Sequence, residues 1–166
     1  MNKCAIVKLS CSKVVQKAHF IKINSEKLSI LAEELGKTPL KYQPFDEFEC
    51  HLSSKEKSLD SIIDYIFILD SLNFCFWRSN WEYDNLASSL KILYEKDPLM
   101  FKPKSILSWS LNFLRENVFG SQDFPLLEER LKILHEISEV TLSNFNGEFT
   151  NIVKAAENSA VKVLFK

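Results

Sequence analysis

The sequence predicts a mainly α, multi-helix globular domain, read as one unit over residues 1–166. Three observations carry that expectation. Glycine (3) and proline (5) are too scarce for the many tight turns of an all-β chain. Apolar residues recur at three- and four-residue spacing along most of the chain. The apolar fraction of 46% and charged fraction of 26% are ordinary for a globular chain long enough to bury a core.

Residues 10–23 read as a first helix, capped by Ser10 or Ser12, with Val14, Val15 and Ala18 at helical spacing and His19 on its surface. A second helix is expected over 26–35 after Asn24 or Ser25, with Leu28, Leu31 and Leu35 inward. Gly36 then stands just past its end, and Pro39 bars continuation. Residues 38–57 lack periodicity and read as a loop covering something, with Phe45 and Phe48 tucked against the core. Within it, His51 is the side chain best suited to bind a ligand or move a proton near neutral pH.

The run from Asp60 to Trp77, DSIIDYIFILDSLNFCFW, is the most apolar and aromatic stretch. Its length favours a buried central helix ending near Asn73 over a buried strand at 65–69. Asp64, Asp70 and Asn73 stand out in it, because burying an unpartnered carboxylate or amide costs a few kcal/mol. Asp70 and Asn73 are therefore expected either to be satisfied internally or to meet a ligand. Beyond them Phe74, Phe76, Trp77, Trp81 and Tyr83 are expected close together, a setting suited to stacking on a flat heterocycle.

Further helices are expected over 85–95, capped by Asp84 or Asn85 and stopped by Asp97-Pro98, and over 103–118, with Pro103 at the first position. Residues 124–145 form the clearest helix, with Pro125 at its start, Glu128 and Glu129 in the first turn and His135 beside the apolar face. After an Asn146-Gly147 turn, residues 148–165 read as a last helix.

A net charge of −1 offers no pull towards nucleic acid or an anionic membrane. Cys4, Cys11, Cys50 and Cys75 fit neither a zinc site nor a disulfide framework, so free thiols in a reducing cytoplasm are expected. The start lacks the apolar core of a secretory leader, and no apolar run reaches the roughly 20 residues of a membrane helix. Glycine-rich phosphate loops, HExxH and GxSxG are missing, and no cofactor or metal is expected.

Three segments, FILDSLNFCFW (67–77), PLLEERLKILHE (125–136) and FNGEFTNIVKAAENSAVKVL (145–164), resemble in their order the queuosine salvage protein family, the queuosine 5′-phosphate N-glycosylase/hydrolases. The resemblance spans roughly residues 12–164 and is weakest before residue 58. It implies a helical fold similar to helix-hairpin-helix DNA glycosylases, and hydrolysis of queuosine 5′-phosphate to release queuine for transfer RNA. The implied partners are that small-molecule nucleotide and queuine, with no direct nucleic acid and no membrane. It further implies that the chain corresponds to the family's N-terminal half. The key aspartate and most base contacts would then lie in a C-terminal half, encoded separately or lost. By the same resemblance His51, Asp70, Asn73, Phe74 and Trp77 are the expected substrate-binding residues, while the catalytic residue is left open. The alternative is a catalytically inactive, truncated helical module that binds a partner or nucleotide.

Overall fold

In a computed structural model, which describes residues 3–37, 43–77, 79–120 and 124–163, all regular structure among the described residues is helical. The described residues group into two units, Met1–Tyr42 and Gln43–Lys166.

The first unit consists of α1 (Lys3–Lys17) and α2 (Ser25–Lys37). α1 starts earlier than Ser10 and ends before the exposed His19. Ser10 is not its cap: its hydroxyl donates back to the Val7 carbonyl at 2.9 Å, inside the helix. Asn24 does cap α2, accepting from the Lys27 amide at 2.9 Å. Gly36 lies within α2, one residue short of its end, and Pro39 falls outside the described residues. Leu28, Leu31 and Leu35, expected inward, are exposed, because two short helices cannot enclose an apolar stripe by themselves.

The second unit is assembled on α3 (Leu59–Leu72), opened by Ser58, whose hydroxyl accepts from the Ser61 amide at 3.2 Å. Tyr65, Ile68, Leu69 and Leu72 are buried along it, each apolar side chain contributing about 1.5–3 kcal/mol. α3 packs on α4 (Tyr83–Lys96), α7 (Leu127–Asn144) and α8 (Phe149–Ala155). α4 presents Leu86, Ala87, Leu90, Leu93 and Tyr94 to the core. It starts ahead of the expected caps: Glu82 is its first flanking residue, and the Glu82 amide donates to the Asn85 side chain at 2.9 Å.

The single helix expected over 103–118 is broken. α5 (Pro103–Ile106) stops, Ser110 caps α6 (Leu111–Phe113), and the chain widens into a π-helical stretch, Leu114–Val118. The chain breaks after Ile106, Ser110 restarts it, and the Trp109 indole enters the core at 3% exposure. The last expected helix also splits, into α8 and α9 (Ala160–Val163), because Glu157 and Asn158 take left-handed φ of 52° and 57°. α7 begins after Pro125 because Leu126 is left-handed, φ 56°. The Asn146-Gly147 turn forms as expected, with φ of 54° and 72°.

Candidate functional site

α3 ends inside the FILDSLNFCFW segment, and a side chain from α7 shapes that end. Arg130 is 0% exposed. Its Nη1 donates to the carbonyl of Leu72, the last residue of α3, and Nη2 to the carbonyls of Phe74 and, at 3.3 Å, Cys75. Nε reaches the Pro125 carbonyl at 3.2 Å. Four of the five guanidinium N–H bonds are thus taken by backbone carbonyls. Aromatic faces cover the rest: Phe74 lies 4.1 Å and Phe124 4.8 Å from the guanidinium carbon. No carboxylate among the described residues pairs with it. The compensating charge is the negative end of the α3 dipole together with the carbonyls of the corner. Burial pulls the guanidinium pKa down to about 10, leaving it charged at neutral pH.

His51 is buried at 3% exposure, stacked on Phe45 with ring centroids 3.8 Å apart. Its Nδ1 lies 3.1 Å from the Tyr65 hydroxyl and Nε2 3.3 Å from the Tyr83 hydroxyl. The single Tyr65 proton faces the carbonyls of Ala87 (3.1 Å) and Cys50 (3.3 Å), so Nδ1 donates to the tyrosine oxygen. Nε2 then accepts from Tyr83, which describes a neutral imidazole. Burial lowers the His51 pKa, aided by Lys91 and opposed by Asp84. Both ring nitrogens are therefore occupied. The cleft beside it, of about 400 Å³, is lined by His51, Phe48, Ser53 and charged side chains, none from the 70–77 corner.

The polar residues of the central run divide otherwise than expected. Asp64, not Asp70 or Asn73, is the buried one, since it shares a face with Ile68 and Leu72. Its Oδ2 pairs with Lys102 at 2.9 Å, while Oδ1 is buried without a hydrogen bond. Asp70 and Asn73 are exposed, on the opposite side and at the C-cap of α3. The Asp70 carboxylate makes no hydrogen bond or ion pair among the described residues, yet partial desolvation raises its pKa. Its charge also raises the pKa values of Tyr65 and Tyr83, the latter to about 12, with burial the larger cause in each. Asp70 makes no hydrogen bond to either tyrosine or to His51, so the structure does not bring it into the His51 cluster.

The expected aromatic cluster separates into parts. Phe76 and Trp81 pack edge-on against Phe124 in the core. Tyr83 turns to His51, and Phe74 lies under Arg130. Trp77 stays 64% exposed, with no ring partner among the described residues. Sequence reasoning passed over Tyr83 as a polar group and Arg130 altogether. The signal for Arg130 was its spacing with Leu127, Leu134 and Thr141, which puts it on the buried face of α7.

A family model described as queuosine salvage protein matches residues 50–165. A Dictyostelium discoideum protein named queuosine 5′-phosphate N-glycosylase/hydrolase is 29% identical over 170 residues, covering 96% of this chain and 52% of its own length. A Sphaerobacter thermophilus protein of the same name is 30% identical over 167 residues, covering 92% and 49%. A Schizosaccharomyces pombe protein of that name is 23% identical over 190 residues, covering 92% and 54%. The chain spans about half the length of the curated relatives it matches.

Proposed function

Because the chain belongs to the queuosine salvage protein family, we propose that it serves hydrolysis of the N-glycosidic bond of queuosine 5′-phosphate, with the end of α3 and the following corner holding the base. The observation that carries this reading is the Asp70 carboxylate. It sits in the last turn of α3, where the helix dipole disfavours an anion by about 0.3–1 kcal/mol, and has no partner among the described residues. Such an exposed group is free to accept from a ligand in place of solvent, and a deazaguanine edge presents N–H donors in a plane. Asn73 adds a donor and an acceptor beside it, and the exposed Trp77 ring offers a flat face for stacking. Phe74 shapes the corner from beneath Arg130, and His51 enters through Tyr83.

Breaking the C1′–N bond builds positive charge on the ribose and calls for a carboxylate that stabilises it or activates water. Asp70 is given to the base, leaving the catalytic carboxylate to the part of the relatives' length that this chain does not match. The setting is cytoplasmic and the partner a small nucleotide. The near-zero net charge gives no pull towards nucleic acid, and, separately, no helix among the described residues is long and apolar enough to cross a membrane.

The test is chromatographic detection of queuine after incubation with queuosine 5′-phosphate. The chain is assayed alone and mixed with the part of the Sphaerobacter relative that it does not match. Release in the mixture supports the reading. No release in either, while the full-length relative is active, contradicts it.

A further inference from the structure

Arg130 holds two distant backbone turns that are both left-handed. Cys75 has φ 53° and Leu126 φ 56°, and neither is a glycine. The guanidinium takes the carbonyls of Phe74 and Cys75 on one side and of Pro125 on the other, while its own amide bonds the Leu126 carbonyl at 3.0 Å. A residue in this region of backbone space persists only when its surroundings over-determine it. Here the determinant is one buried cation that also closes the last carbonyl of α3.

From this geometry we infer that Arg130 is the positioning residue of the site: it sets the 72–77 corner, and with it the placement of Asn73 and Trp77 towards the base. The inference rests on the function proposed above only in its second half, since the ordering of the corner is a property of the apoprotein. Arg130 is fully buried and does not touch the ligand. Lysine in its place keeps the charge but offers a compact head with three donors instead of a planar fork, so it cannot span carbonyls on both sides.

The test compares the intact chain with Arg130→Lys, Arg130→Met and Leu134→Ala. The last is also fully buried on α7 but donates nothing to the corner. Two quantities are read: the iodoacetamide labelling rate of the half-buried, free Cys75 thiol, resolved by peptide mapping against Cys50, and the affinity for queuine by calorimetry. Arg130→Lys is expected to raise Cys75 labelling about tenfold and weaken queuine binding by at least as much, with Cys50 unchanged. Leu134→Ala should lower the unfolding temperature without either effect. Should Arg130→Met fail to fold, the lysine variant against Leu134→Ala decides. Cys75 labelling in Arg130→Lys equal to wild type, or reproduced by Leu134→Ala, overturns the inference. If Cys75 responds but the wild-type chain does not bind queuine, the positioning of the corner stands and the functional reading falls.

Discussion

The ammonium of Lys102 lies 2.9 Å from the buried carboxylate of Asp64 and 2.7 Å from Glu148. With Thr150 donating to Asp60 at 2.9 Å, this is the polar seam between α3 and the region opening α8. Removing one partner of a buried pair strands the other charge, so Lys102→Met should cost about 2–4 kcal/mol in urea unfolding at pH 7.5. Burial already raises the Asp64 pKa, and losing the cation raises it further. A group whose folded pKa exceeds its unfolded value favours the fold at low pH and loses that contribution as pH rises. The deficit of Lys102→Met should therefore shrink as pH falls towards about 4, near the unfolded carboxylate pKa. A deficit that stays the same from pH 8 to pH 4.5 would refute the pairing.

His51 titrates in the opposite sense. Its folded pKa lies below the ordinary value of about 6.5, so the unfolded chain takes up the proton first. Its stabilising contribution is full above that pH and is lost as pH falls through the folded pKa. The charged groups acting on it are Asp84 and Lys91, and Tyr65 and Tyr83 hold its nitrogens. His51→Gln should flatten the loss of stability between pH 7.5 and pH 5.5, measured as the difference from wild type. Parallel stability curves would show that the ring is not held neutral.

At the turn before α8, Gly147 has φ 72°, and a Cβ there would meet Leu142 Cδ2 at 3.2 Å. Gly147→Ala should cost about 1–2 kcal/mol through backbone strain and crowding. An unchanged urea midpoint would mean that the turn relaxes freely.

Much of the fold was legible because local signals agreed with packing. The long apolar run from Asp60 marked α3, and Asn146-Gly147 marked its turn. The breaks at Trp109 and at Glu157-Asn158 were not legible, because amphipathic spacing continues across both and tertiary burial decides the interruption. In the site, helical phase already distinguishes Asp64, in step with Ile68 and Leu72, from Asp70 on the far side. Composition drew attention to all three polar residues alike. Arg130 could be placed on the buried face of α7 by spacing, but not matched to its acceptors. Those are carbonyls up to 58 positions away in sequence, and backbone carbonyls leave no mark in residue identity.

The account centres on Asp70 as the acceptor for the base, and calorimetric titration of queuine into wild type, Asp70→Asn and Trp77→Ala tests it most directly. Asp70 sits at the negative end of α3, so its neutralisation should leave the unfolding temperature unchanged or raise it slightly. Queuine binding should nonetheless weaken about tenfold or more, the equivalent of about 1.4 kcal/mol, and Trp77→Ala should weaken it without loss of fold. Undiminished queuine affinity in a folded Asp70→Asn variant would contradict the account.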